Sequence, residues 1–445
     1  MPLDTHSWFR TDPNQVKASL DEVILADGLD VIFDPAGSHD AWMVDARDGT
    51  EYLDLFSFFA SLPIGFNHPG LADETYLAKL TQAAHIKPTN SDIYTQAMAD
   101  FTQSFSTTLP PAFKHLFFIE GGALAVENAL KAAFDWKVRK NLAAGRAQSL
   151  GTKVIHFKWA FHGRSGYTLS LTNTFDPNKT QYFPQFDWPR IDAPGLHFPV
   201  DAAASEAVEA AEERSLADIK AAIQANPHDV ACLIIETIQG EGGDVHFRPE
   251  FFKQLRALAD EEEFILIFDE VQTGMGLTGR WWAFEDMGVE PDIFAFGKKT
   301  QVCGVAATDR LNEVDSVFEV SSRINSTWGG NLVDMVRSER YIQLITEHQL
   351  LDSVKEVGDY ALERLTELAA AHPDVDNVRG RGLMCAFDLP NDAVRERVRQ
   401  NLLSEQKVIM LASGQRSLRF RPVLDFTRAH VDEAVTRIDR ALQST

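Results

Sequence analysis

Five short apolar runs punctuate the first two thirds of the chain: His115–Ile119, Lys153–Phe157, Val230–Glu236, Phe264–Asp269 and Asp292–Phe296. Near-continuous apolarity over so few residues suits strands whose sheet is covered on both faces, which predicts a mostly parallel, buried sheet. Helical patterns lie between the runs. Residues 122–140 set Leu124, Leu130 and Phe134 among alanines and end on Lys137, Arg139 and Lys140, which complement a helix dipole. Residues 249–262 open on Pro249 and Glu250, a good first turn, and carry Phe252, Leu255 and Leu258 inward. Strand–helix alternation between about residues 65 and 325 predicts an α/β domain.

After residue 330 the pattern changes. Residues 331–371 hold helix formers with apolar positions at helical spacing, Arg379–Leu389 reads as a turn and a strand, and helical segments follow near 392–406 and 428–442. At the other end, Ala41–Leu55 reads as hairpin strands around Arg47-Asp48-Gly49. The expected organisation is a large α/β domain over 61–330 and a smaller α+β domain built from 1–60 and 331–445.

Composition narrows the function classes. A chain of 445 residues is long enough for two domains. Its net charge of −23 argues against a nucleic-acid partner, because phosphate binding needs a basic surface. Cys232, Cys303 and Cys385 are an odd, sparse set without CxxC spacing, which excludes a disulfide framework and fits a reducing cytoplasm. The opening MPLDTHSWFR lacks a signal-peptide pattern, and no long apolar stretch predicts a membrane span, so the expected location is the cytoplasm. Thirteen histidines without HxxxH or HxH spacing predict no metal site.

Ligands of open α/β sheets bind beyond the carboxyl ends of the strands, and three such ends carry unusual residues. Phe264–Gly279 (FILIFDEVQTGMGLTG) closes an apolar strand on Asp269-Glu270 and a glycine-rich loop. Alone, that pair could cap a helix, bind a metal or sit in solvent. Pro291–Gly304 delivers Lys298 directly after Gly297. Lys298 could be half of a surface Lys-Lys pair, or a desolvated amine that attacks carbonyls. Phe118–Asn128 (FIEGGALAVEN) runs a strand through Gly121-Gly122-Ala123 into a helix whose first N–H groups could receive a phosphate. Together they are more specific: a strand-end aspartate, a strand-end lysine 29 positions later and a glycine-lined helix start are the parts needed to hold pyridoxal 5′-phosphate (PLP).

The span Ile267–Cys303 resembles the signature of the class III (ω-amino acid) aminotransferases: the DE pair, the glycine-rich stretch, Asp292 and then Gly-Lys. The resemblance extends over nearly the whole chain. EGGALAVENALKAAFDWK, AFHGRSGYTLSLTNT, FDWPRIDAP, IQGEGGDVHFRPEFF and FGKKTQVCG are similar to the branch that acts on the ε-amino group of L-lysine. It implies a fold-type I PLP enzyme that passes that group to 2-oxoglutarate, giving 2-aminoadipate 6-semialdehyde and L-glutamate.

Matched motif by motif, the resemblance implies that Lys298 binds PLP covalently and that Asp269 sits against the pyridine nitrogen. It places Gln272 at O3′, Val271 and Phe161 on the two ring faces, and the N–H groups of Gly122 and Ala123 at the phosphate. The segment NSTWGGN implies that Thr327 reaches the phosphate of a neighbouring subunit, hence a homodimer. Arg164 and Arg419 match carboxylate-binding arginines and Glu241 matches a glutamate that neutralises the second of them; Asn325 is a further candidate to assist at the substrate carboxylate. One departure is Glu236-Thr237, where many relatives have Glu-Pro. An ω-aminotransferase for ornithine or 4-aminobutyrate stays open as an alternative, as do a PLP isomerase or decarboxylase and a non-enzymatic PLP-binding regulator.

Overall fold

A computed structural model of the chain describes residues 9–444, so most of the opening MPLDTHSWFR lies outside the described residues. β1 (Trp42–Val44) and β2 (Glu51–Asp54) form an antiparallel hairpin with Trp42 opposite Leu53. The large sheet follows: β3 (Phe113–Ile119), β4 (Lys153–Phe157), β5 (Arg190–Ile191), β6 (Val230–Glu236), β7 (Ile265–Asp269), β8 (Ile293–Phe296) and β9 (Cys303–Thr308). Their spatial order is β3-β9-β8-β7-β6-β4-β5. Neighbours from β5 to β8 run parallel, and β9 runs antiparallel to both β3 and β8. The chain is therefore α/β with a mostly parallel central sheet. β9 (CGVAAT) is absent from the apolar runs named above because its small residues carry little apolar signal.

Alternate residues of the central strands go to opposite faces. Ile265 and Ile267 pack with Val126, Leu130 and Trp136 of the helix Gly122–Ala143. Leu266 and Phe268 pack with Phe252 and Leu255 of the helix Pro249–Glu261. Both sets are buried, which is why the strands read as unbroken apolar runs. The alanine-rich helix Ala202–Ala225 has only a few buried positions and left little periodic signal in the sequence.

In the last third the sequence reading needs two refinements. Residues 331–371 form two helices, Leu332–Glu347 and Leu350–Ala371, broken at Gln349, whose φ is 51°. The stretch Arg379–Leu389 is the end of one strand, a turn and a second strand: β10 (Asp376–Arg381) pairs antiparallel with β11 (Met384–Asp388). The sequence of β10, DNVRGR, has no apolar alternation, so its extended form is imposed by its partner. β12 (Val408–Ile409), β13 (Leu411–Ser413) and β14 (Ser417–Phe420) follow, then the helix Arg428–Gln443. The four-stranded sheet has the order β10-β11-β14-β13. β12 instead pairs parallel with β2, so both ends of the chain share a three-stranded sheet. Among the described residues no helix is long and apolar enough to cross a membrane.

Candidate active site

The parallel strands β6, β7 and β8 end side by side, with Glu236 opposite Asp269 and Asp269 opposite Ala295. Beyond β8 the chain passes through Gly297 to Lys298, a partly buried residue held at φ 53°. Burial and the charge of Arg419 push its amine down to about 8, against the opposing pull of Asp269, Glu236 and Glu241. An amine near that value is neutral often enough at pH 7 to act as a nucleophile. Lys299 turns the other way. It is buried, and its Nζ donates to the Ala60 carbonyl at 3.0 Å, while Gln301 Nε2 donates to Ser61 O at 2.8 Å.

The Asp-Glu pair divides its work. Asp269 accepts a hydrogen bond from its own loop at Val271 N (3.0 Å) and lies 2.8 Å from Nδ1 of the buried His162. Burial works against charge on that ring, but the Asp269 hydrogen bond and charge outweigh it and raise the His162 pKa. Glu270 points away from the cleft and is fully enclosed. It accepts from Thr237 Oγ1 (2.7 Å), Thr273 Oγ1 (2.6 Å), Ala283 N (3.0 Å) and Phe284 N (3.0 Å). Burial nevertheless pushes its carboxyl up to about 7. The Thr237 hydroxyl is thus one of the groups that tie this loop together. Asp292 of the signature lies at the opposite, amino end of β8, where Oδ2 accepts from Leu266 N at 2.8 Å and Oδ1 pairs with Arg256 at 2.9 Å.

A cradle of small residues faces this group. The helix Gly122–Ala143 begins without a side-chain cap, so its first N–H groups remain available to an anion. Gly121 stands at φ 98°, a conformation that favours glycine, and a Cβ on Gly122 would come within 2.9 Å of Val271 Cγ1. Glu236 accepts from Phe161 N and from Gly240 N, each at 2.9 Å, which fixes the Phe161 backbone over the strand ends. Burial, with Asp269 nearby, pushes the Glu236 carboxyl up to about 7. Gly240 packs so close to Gln272 that a Cβ there would stand 2.5 Å from Oε1, and the same oxygen accepts from Arg421 Nε at 3.4 Å.

Beyond Lys298 stands Arg419, a buried residue of β14 whose register neighbours are Ala386 and Leu411. Its Nη2 lies 2.5 Å from Glu241 Oε2, and its Nε is 3.9 Å from Asp244 Oδ2. The other Glu241 oxygen lies 2.5 Å from Lys179 Nζ. Burial works to raise the Glu241 pKa, but Arg419 and Lys179 outweigh it and hold the group below its ordinary value.

Three residues singled out in the sequence stand apart. Arg164, Asn325 and Thr327 are exposed, and Asn325 Oδ1 accepts only from the neighbouring Ser326 N, at 2.8 Å. Among the described residues, no hydrogen bond or ion pair joins any of them to Lys298, Asp269, Glu241 or Arg419. Conversely, Glu236, at the strand ends, and Lys179, which meets Glu241 from outside the site, escaped the sequence reading. Glu236 carried the same signal as Asp269, a carboxylate closing an apolar run. Lys179 lies in an aperiodic loop and gave none.

This geometry, a strand-end amine, a histidine-backed carboxylate and an uncapped helix start, agrees with the comparisons to known proteins. The family model described as "Aminotransferase class-III" matches residues 28–442. An L-lysine-epsilon aminotransferase of Mycobacterium tuberculosis is 53% identical over 437 residues, covering 97% of this chain and 96% of that protein. A 4-aminobutyrate aminotransferase of Dictyostelium discoideum is 33% identical over 428 residues, covering 92% and 85%. The solved structure of a lysine aminotransferase from M. tuberculosis superposes with a TM-score of 0.95 at 52% identity, covering 98% of this chain and 100% of that one. The chain belongs to the class III aminotransferases and is a PLP-dependent transaminase of fold type I. The residues present fit that cofactor: the space kept open at Gly122, the free helix start, Asp269 and Lys298 converge on one cleft.

Proposed function

We propose that the chain transfers the ε-amino group of L-lysine to 2-oxoglutarate, giving 2-aminoadipate 6-semialdehyde and L-glutamate. The observation that carries this reading is the pair of the buried Arg419 with the partly buried Glu241. 2-Oxoglutarate has a carboxylate at each end and needs a cation near its reacting carbon, whereas lysine brings an uncharged chain and an amine to the same place. A bare Arg419 would suit only the first. An arginine neutralised by a carboxylate that can withdraw suits both. The lysine-specific relatives favour lysine over ornithine or 4-aminobutyrate as donor.

In this reading Lys298 would hold PLP covalently, Asp269 backed by His162 would keep its ring nitrogen protonated, and Gln272 would serve its O3′. Gly122 and Ala123 would offer N–H groups to its phosphate, and Phe161 and Val271 would supply the apolar walls for its ring. When bound, PLP supplies an electron sink for the carbon that gains or loses the amine. The chain does the rest: the Lys298 amine, once displaced, moves the proton at that carbon, and Glu236 fixes the Phe161 wall. Arg164, with Asn325, anchors the distant α-carboxylate of lysine.

Glu241→Ala is expected to slow the lysine half-reaction about tenfold more than the 2-oxoglutarate one, the effect of roughly 1.4 kcal/mol. Arg419→Ala should do the reverse and lower kcat/KM for 2-oxoglutarate about a hundredfold, as expected for losing a buried charge-paired contact. Single-turnover kinetics of the two halves measure both, and equal losses in both halves for both variants would defeat the reading.

We also read the chain as a cytoplasmic homodimer of two-domain subunits, divided near residues 60 and 330, with Thr327 serving the partner's phosphate site. Exposed Ile86, Ile93, Tyr94 and Trp328 support the dimer. They form one region, because Asn90 Nδ2 donates to Gly330 O at 3.0 Å and Lys87 Nζ lies 4.2 Å from the Trp328 ring. Thr327→Asp, which sets a carboxylate against a phosphate, should be inactive. Mixed with inactive Lys298→Ala chains, it should recover about a quarter of wild-type activity after subunit exchange, since a two-fold mixed dimer rebuilds one complete site. No recovery, with exchange confirmed by mass spectrometry, would place both residues in one subunit's site.

A further inference from the structure

Glu241 has two cationic partners in different settings. Arg419 is fixed by its strand and by neighbouring Asp244, whereas Lys179 projects from the short turn Pro177–Lys179 at the surface. Each takes a different oxygen of the carboxylate, both at 2.5 Å. On the Lys179 side lies a cavity of about 690 Å³ bounded by Phe175, Lys179, Glu241, Arg395, Ser413 and Arg416. The other two cations there are engaged elsewhere. Arg395 Nη1 donates to Gly414 O (3.1 Å) and Gln415 O (2.6 Å), and Arg416 Nη2 pairs with Asp388 (3.4 Å). Among the described residues, Lys179 is therefore the cation that meets Glu241 from the cavity.

We propose that Lys179 is a positioning residue that holds the Glu241 carboxylate when it leaves Arg419, and so sets how readily the site accepts a dicarboxylate. This rests on the exchange of partners at Arg419 proposed above. When a substrate carboxylate takes Arg419, Glu241 must withdraw from a partly buried place beside a second anion. Without Lys179 it would withdraw unpaired, and leaving a buried charge unpaired is the costly outcome. With Lys179, the flexible stem follows the carboxylate into the cavity and the pair survives. In the lysine half-reaction Glu241 keeps Arg419 in any case, so Lys179 matters less there. The cost of losing Lys179 falls on one half of the cycle.

The test uses the PLP-loaded enzyme and its Lys179→Met, Lys179→Arg, Glu241→Gln and Lys179→Met/Glu241→Gln variants. Each half-reaction is followed separately, and binding of glutarate, a dicarboxylate that cannot react, is measured by calorimetry. Lys179→Met should weaken glutarate and 2-oxoglutarate about five- to tenfold, the lower part of the range for coupled sites. It should change the lysine half-reaction by less than about twofold, as for a partly exposed pair. Lys179→Arg should restore dicarboxylate binding. In the Glu241→Gln background Lys179→Met should have no further effect. An equal loss in both halves, no loss at all, or a loss undiminished in that background (Lys179 then touching substrate directly) would each overturn the role. Glu241→Gln separates the two levels. If it splits the halves while Lys179→Met does not, only the Lys179 role fails; if it treats both halves alike, the exchange at Arg419 fails and the Lys179 role with it.

Discussion

Lys298→Ala is expected to lower turnover by about 10⁴-fold or more, the upper range for losing a positioned proton carrier, because the same amine also holds the cofactor. No neighbour can take over. Lys299 is adjacent in sequence, and burial together with the Lys298 charge pushes its amine down to about 7, so by acidity alone it would be the better nucleophile. Geometry decides against it: its Nζ is spent on the Ala60 carbonyl at 3.0 Å, beneath the turn that Gln301 also clamps. Lys298 instead has Asp269, Glu236, Glu241 and Arg419 as its electrostatic neighbours. Borohydride reduction of the PLP-loaded enzyme followed by peptide mapping should place the label on Lys298, and label on Lys299 would sink the assignment. Absorbance of the bound cofactor should shift in Lys298→Ala while the melting temperature stays near wild type.

The second large effect is expected from Asp269→Asn, which keeps the shape of the side chain and removes its charge. An opposite charge about 4 Å away contributes about 4 kcal/mol at an effective dielectric near 20, so losing it should cost about 10²- to 10³-fold in kcat. The amide oxygen can keep the Val271 N–H bond, and the amide nitrogen can donate to His162 Nδ1 in its unprotonated tautomer, so folding should be retained. Asp269→Glu should recover part of the loss, because charge is kept and position is not. Single-turnover rates with melting temperatures as a control measure this. A Asp269→Asn enzyme within tenfold of wild type would show that the carboxylate is not needed to hold a proton on the cofactor ring.

Much of this arrangement was legible in the sequence because burial on both faces writes itself as apolar runs. β6, β7 and β8 declared themselves in that way, and the residues just after them, Asp269 and Lys298, stood out as charges where the runs stop. Elements held by tertiary partners were not legible. β10 is extended because β11 pairs with it, and β9 is built of small residues that no periodicity marks. The same holds within the site. Arg419 lies in β14, a strand the sequence reading did not pick out, and its pairing with Glu241 spans 178 positions of sequence and rests on the resemblance. Lys179 meets Glu241 from a loop with no pattern, and a lysine in such a loop looks like any solvated charge. The Asp-Glu pair also hid a division: only the three-dimensional path shows that Asp269 faces the cleft while Glu270 is bound inside its own loop.

Lys298 lies in the connection of an antiparallel hairpin, whereas Glu236 and Asp269 end strands that reach their neighbours through parallel crossovers. Closing the short β8–β9 connection costs about 1 kcal/mol less chain entropy than closing one several times longer, by the logarithmic dependence on loop length. The connection that bears the amine is therefore closed at low cost, and what remains is to seat it: the Lys299–Ala60 and Gln301–Ser61 hydrogen bonds anchor it to chain some 240 positions away. Substitutions at Ala60 or Ser61 that shift this anchor would move the amine relative to the carboxylates while leaving the parallel strands in place.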